Sequence, residues 1–215
     1  MTFQTMTAAL ALTVASVSAA SAATATFDFT GRSGYAPYSA SYTFSDHDLD
    51  LTVSAAATPD GRHFAKNPLI GKWHTGLGIL NGPLDDNHML DGRGWDEFMI
   101  FSFSKPLDRI DTISFSHVDR NDRFTLWGND GAGWSRVLGG TEVPLNGFPS
   151  TYTFGENFAG SLFAVGAEGP HDNYKIAGMS VSYGDIAPIP LPAGGLLLVT
   201  GLMGLGVARH LRNRA

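Results

Sequence analysis

The sequence predicts an all-β fold, a β-sandwich of jelly-roll type, and three observations lead there. Short segments alternate apolar and polar residues at period 2, glycine is abundant between them, and no stretch between Ala23 and Pro190 carries the 3.6-residue apolar period of an amphipathic helix. A strand with one apolar face buries it against a second sheet or in a closed barrel, so an open barrel is the other architecture the pattern allows.

Ala25, Phe27 and Phe29 alternate with Thr26 and Asp28 and begin the series. Tyr42 to Phe44 and Leu49 to Val53 read as two arms of a hairpin, with Asp46, His47 and Asp48 at the turn, where aspartate bonds its own backbone. Phe98 to Phe103 is apolar almost without pause, which predicts a central strand covered on both faces. Further alternating segments lie at Ile113 to Phe115, Phe124 to Leu126, Tyr152 to Phe154, Leu162 to Val165 and Met179 to Tyr183. Glycine supplies 26 of 215 residues, well above the usual ~7%, and fits many tight turns.

Both ends of the chain differ from this middle. Met6 to Val17 is apolar and small, and Ala20-Ser21-Ala22 has the small-x-small form of a cleavage site. Residues 1–22 therefore read as a secretory signal peptide, cut between Ala22 and Ala23, although its first segment contains no Lys or Arg. At the other end no charge interrupts Leu191 to Ala208, a run that as a helix reaches about 27 Å and just spans a bilayer. Pro188, Pro190 and Pro192 suit an extended neck and the first turn of that helix. Arg209, Arg212 and Arg214 follow it as a basic stop, which places the carboxyl end in the cytoplasm and the rest of the chain outside. Three regions result: the signal peptide at 1–22, a sandwich domain at 23–187, and a neck, transmembrane helix and basic tail at 188–215.

Ile189-Pro190-Leu191-Pro192-Ala193, the Gly/Leu helix and the closing arginines resemble the PEP-CTERM class of sorting tails in its VPLPA-type variant, carried by exported proteins of Gram-negative bacteria. Ile189 stands where that variant usually has Val, Leu191 where the parent motif has Glu, and His210 interrupts the basic cluster. The resemblance implies recognition by an exosortase, a membrane-embedded processing protease, and an association with extracellular polysaccharide or biofilm matrix. The spacing of Gly76 to Ile79, Asp86 to Asp91, Glu97 to Phe103 and Ile113 to Asp119 also resembles the globular part of many proteins with such tails.

Composition narrows the functions open to the domain. All 20 acidic residues and 11 of the 14 basic ones precede the tail, a balance of −9, while the tail carries +3. An acidic surface argues against nucleic acid and anionic lipid head groups, and is compatible with divalent cations or neutral glycans. The chain has no cysteine, which excludes a disulfide scaffold.

Several groups of residues have the chemistry for a site. Asp85, Asp86, Asn87, Asp91, Asp96 and Glu97 crowd one region, with Gly82, Gly92 and Gly94 to turn carbonyls inward; Asp85, Asp86 and Asp91 are the candidate Ca²⁺ ligands. Their spacing is not that of an EF-hand, and a solvated loop of turn-capping residues is the competing reading. Asp46, Asp48 and Asp50 form a second acidic set. Six histidines from His47 to His171 are scattered singly, without the paired spacing of a zinc site. Trp73 and Trp95 lie in Gly-rich surroundings and are candidate platforms for a sugar ring, whereas Trp127 and Trp134 flank the turn Gly128-Asn129-Asp130-Gly131 and fit packing across a hairpin. No G-x-S-x-G elbow is present, and no catalytic residue or cofactor is assigned.

The reading is of a non-enzymatic cell-surface or extracellular-matrix protein, exported and sorted by its tail. Its expected partners are an exosortase-type protease, the membrane through the terminal helix, and extracellular polysaccharide. The alternative is a glycan-binding module, with or without Ca²⁺.

Overall fold

A computed structural model describes residues 22–31, 38–59, 66–82, 85, 88–156 and 158–184. The signal peptide upstream of Ala22, the sorting motif Ile189 to Ala193 and the arginines of the tail lie outside the described residues. Ala22–Gly184 is one compact unit. Its elements are β1 (Ala23–Asp28), β2 (Ser41–Asp46), β3 (Leu49–Thr58), β4 (Leu69–Trp73), β5 (Gly76–Leu80), β6 (Leu90–Asp91), β7 (Asp96–Leu107), β8 (Arg109–Ser116), β9 (Arg123–Asn129), β10 (Trp134–Glu142), β11 (Ser150–Thr153), β12 (Gly160–Ala167) and β13 (Asn173–Tyr183). Among the described residues there is no helix.

The strands form two antiparallel sheets, which is the predicted all-β sandwich. The first has the order β11-β8-β13-β5-β4, with β1 and β6 also paired to β13; the second runs β10-β9-β12-β7-β3-β2. One edge of β13 takes β8 along most of its length, and the other is shared end to end by β6, β5 and β1. The β2–β3 hairpin turns at His47 and Asp48, with Asp46 opposite Leu49 and His47 at φ 54°. In the second hairpin, β4–β5, only glycine fits at position 76: φ is 130°, and a Cβ would meet the Ile176 carbonyl oxygen at 2.4 Å.

The period-2 pattern explains the core. Leu51, Val53, Phe101, Phe103, Phe163 and Val165 of one sheet meet Ile113, Phe115, Ile176, Met179 and Val181 of the other, all buried. Each contributes about 1.5–3 kcal/mol of burial, so the two inner faces drive the packing. β7 lies between β3 and β12, and Phe98, Met99 and Phe101 are buried on its two faces, as a central strand requires. A string of rings then runs outward from Phe115 through Phe124, Tyr152 and Phe154 to Phe158, at centroid spacings of 5.1, 5.0, 4.9 and 5.5 Å.

Two connections that cross between the sheets are fastened to each other. Asp122, ahead of β9, accepts the Asp119 N–H of its own turn and the Asn173 N–H of the other connection at 2.8 Å. Asp172, ahead of β13, accepts the Gly169 N–H of its own turn at 2.7 Å and the Arg123 N–H across the gap at 2.9 Å. Each aspartate closes one turn and caps the strand that follows the other, so the ends of β9 and β13 are fixed together.

Candidate functional site

The acidic region predicted as a Ca²⁺ site is a loop folded over the outer face of the first sheet. Asp85 accepts the Asn81 N–H at 2.9 Å and the His88 N–H at 3.2 Å, and Asp91 accepts the Arg93 N–H at 2.9 Å. These carboxylates cap turns. Asp86 and Asn87 lie outside the described residues, and among the described residues no three His, Asp or Glu side chains converge on a metal position. At the base of the loop Glu97 is only 2% exposed; its Oε2 accepts the Asp91 N–H at 3.1 Å. Burial, with the Asp91 and Asp85 charges beside it, pushes its carboxyl up to about 9 against the hydrogen bonds from Asp91 and Asn81. Glu97 is therefore neutral at pH 7. Asn81 buries its amide oxygen without a partner, and a neutral carboxyl has the O–H that such an oxygen accepts.

Trp73 ends β4 with its indole against the sheet, over Gly71, where a Cβ would meet the ring at 2.0 Å. His88 stacks on it at 5.8 Å and 9°, Tyr38 meets it edge-on at 5.9 Å, and Lys175 Nζ lies 4.0 Å from the ring centre. Trp95, half-buried ahead of β7, carries Lys66 Nζ at 4.1 Å. Trp127 lies opposite Arg136 in the β9–β10 ladder, with the guanidinium 4.9 Å from its ring, and both bond Glu168: indole N–H to Oε1 at 3.1 Å, Arg136 Nη2 to Oε2 at 2.6 Å. Three of the four tryptophans thus hold a cation of their own on the ring, an interaction of about 0.5–2 kcal/mol that a stacking sugar would have to displace. In the second acidic set, Asp46 Oδ2 accepts the Thr26 N–H at 2.7 Å. Asp48 holds Lys105 and accepts the Tyr183 hydroxyl at 2.7 Å, contacts that bring its carboxyl down to about 2.

Among the described residues, concave regions open to solvent include one of about 500 Å³ over Asp91, Arg93, Asp119, Asn121, His171 and Asp172, where Asp172 is already committed to backbone N–H groups. A small one of about 190 Å³ adjoins Ser116, His117 and Phe148. The third, about 360 Å³, lies between the β9–β10 hairpin and the segment entering β12. It is lined by Phe158, Leu162, Phe163 and Val137 and by Asn129, Asp130 and Ser135. Phe158 is set by its edge-to-face contact with Phe154 at 5.5 Å and 88°, the outer end of the aromatic string. Asn129 and Asp130 each bond a backbone N–H two residues on with one oxygen, at 2.8 and 3.0 Å. The Asn129 amide and the second Asp130 oxygen remain for a ligand. An aromatic ring lining the same groove as short polar side chains suits a ligand ring with an apolar face and a hydroxyl edge.

The sequence signalled the turn Gly128 to Gly131 but not this groove, because Phe158 and Leu162 come to it only through the fold. No protein-family model matches the chain, and no curated protein sequence matches it. Among solved structures, a carbohydrate-binding module, CBM32-3 of a family 31 glycoside hydrolase from Clostridium perfringens, aligns over 47% of this chain and 78% of its own. The TM-score is 0.27 and the identity 15%.

Proposed function

We propose that this chain is an exported, non-enzymatic surface or matrix protein whose sandwich holds polysaccharide in the groove beside Phe158. The observation that carries the reading is that the groove is lined by Phe158, packed edge-to-face on Phe154, together with Asn129, Asp130 and Ser135. Asp130 and the −9 balance of the domain favour a neutral sugar there. The buried carboxylates Asp122 and Asp172 are spent on backbone N–H groups, which supports a binding role over a catalytic one. Passage of the chain from sheet to sheet at β7, β8 and β9, and again at β11, β12 and β13, supports the jelly-roll form.

Binding of the full chain in detergent to an array of neutral glycans, with Phe158→Ala alongside, tests the groove. The variant is expected to lose at least tenfold in affinity; an array on which the parent chain binds nothing sinks the reading.

Export rests on the small-residue site at Ala22 and Ala23 and on the tail, Ile189-Pro190-Leu191-Pro192-Ala193 followed by Arg209, Arg212 and Arg214. An exosortase-type protease is the expected handler, acting while the terminal helix sits in the membrane. Intact mass of the cell-surface fraction is expected to give a species that starts at Ala23 and ends near the proline motif. A soluble cytoplasmic species with both ends present would refute this.

A further inference from the structure

The first sheet carries on its outer face a feature unrelated to the groove. Lys175 sits in β13 between the core residues Tyr174 and Ile176, so its side chain leaves the opposite face of the sheet, and it pairs with Ser116 of β8. Only 7% of it is exposed. Among the described residues no carboxylate reaches its ammonium; its contact is the face of Trp73. Trp73 cannot yield, because its ring lies on Gly71 under His88. Burial pushes the Lys175 pKa down, with no acid to hold it up.

An ammonium taken out of water without a counter-charge costs far more than an aromatic face returns. Other cations of the domain are treated differently: Lys105, Arg109, Arg123 and Arg136 each hold a carboxylate. Lys175 has an imidazole nearby instead. His117, at φ 57° just after β8, has its pKa lowered by burial and then by Lys175 and His74. The β4–β5 turn braces the group: Ser116 Oγ donates to the Thr75 carbonyl at 2.5 Å, and the His117 Nε2 lies 3.1 Å from Thr75 Oγ1.

We propose that Lys175, with His117 beside it, forms a receptor for the carboxylate of an acidic sugar, a uronate residue of a polysaccharide, on the outer face of the first sheet. One ammonium matches a monoanion, and an imidazole N–H adds a donor. A phosphate dianion calls for a second fixed charge or a ring of backbone N–H groups. The site shares no residue with the Phe158 groove and stands or falls apart from it.

Calorimetric titration of the full chain in detergent with trigalacturonate, galactotriose and inorganic phosphate tests the proposal. Trigalacturonate is expected to bind at least tenfold more tightly than galactotriose in a Phe158→Ala background, with the preference shrinking as salt rises. Lys175→Met keeps the stem on Trp73 and is expected to lose at least tenfold for trigalacturonate while retaining the neutral-glycan binding of the groove. Lys175→Arg is expected to retain most of the affinity, and His117→Gln to lose severalfold, so the result does not depend on one variant folding. Equal trigalacturonate binding by the parent and Lys175→Met overturns the proposal, as does tighter binding of phosphate than of trigalacturonate.

Discussion

The connection closed by Asp122 and Asp172 and the loop closed over Glu97 both bury carboxyl groups, and they solve the problem differently. Asp122 and Asp172 are 1% and 7% exposed, and each receives two backbone N–H groups. Burial raises the Asp122 pKa, but its two N–H bonds oppose the rise. Glu97, 2% exposed, receives one backbone N–H and the Asn81 amide while the Asp91 and Asp85 charges press on it, and it gives up its charge. A buried carboxyl stays an anion only when enough donors replace its water.

Removing the donors' target from the corner breaks that comparison most sharply. Asp122→Ala removes the acceptor of the part-buried Asp119 and Asn173 N–H groups and is expected to cost about 1–3 kcal/mol in urea denaturation, at about 0.5–1.5 kcal/mol per hydrogen bond lost. Asp172→Ala is expected to match it, and the double variant to cost less than the sum, because both remove the same fastening. A loss under about 0.5 kcal/mol would show that solvent replaces the carboxylate and that the corner is not a fastening.

Glu97 gives the next effect, and its sign is set by a raised pKa. Below pH 4.5 the group is protonated whether folded or not and costs nothing. As pH rises toward about 9 the unfolded chain gives up a proton that the fold retains, so stability falls across that window, by about 3 kcal/mol at pH 7. Glu97→Gln is expected to flatten the pH dependence, raising Tm at pH 8 and leaving it unchanged at pH 4. A parent Tm that does not decline between pH 5 and 8 would refute a neutral Glu97. The smallest change is Asp91→Asn, which removes one neighbouring charge while keeping an acceptor for the Arg93 N–H. It is expected to shift the same decline to a lower pH midpoint, by under about 1 kcal/mol, in thermal melts across the range.

The strands were legible where each had one buried face. The Tyr42 to Val53 hairpin and the segments at Phe98, Ile113, Phe124, Leu162 and Met179 fall in β2–β3, β7, β8, β9, β12 and β13. β10 is hidden because it is an edge strand, exposed along most of both faces and shifted in register after Arg136 and again after Leu138. β4 and β5 lack alternation for another reason: Gly71 and Gly78 occupy outward positions that the Trp73 ring and the His88 carbonyl cover. Asp119-Arg120-Asn121-Asp122 and Gly169-Pro170-His171-Asp172 share an aspartate in fourth place before a strand, a signal that marks the fastened corner once it is known. Lys175 offered no signal, since a lysine between apolar residues reads as a solvent-facing position and only the sheet stacking reveals that Trp73 covers it.

The last strand among the described residues is also the hub of its sheet. Without Asn173 to Tyr183, β1 and β6 have no partner strand, and the sheet falls into two separate pairs, β4 with β5 and β8 with β11. A chain made from its amino end therefore cannot complete this sheet until those residues are available. Because Ala23 lies opposite Tyr183 and Arg109 opposite Ser182, a pull applied beyond Tyr183 would load the end pairs of both ladders first and open β13 one pair at a time.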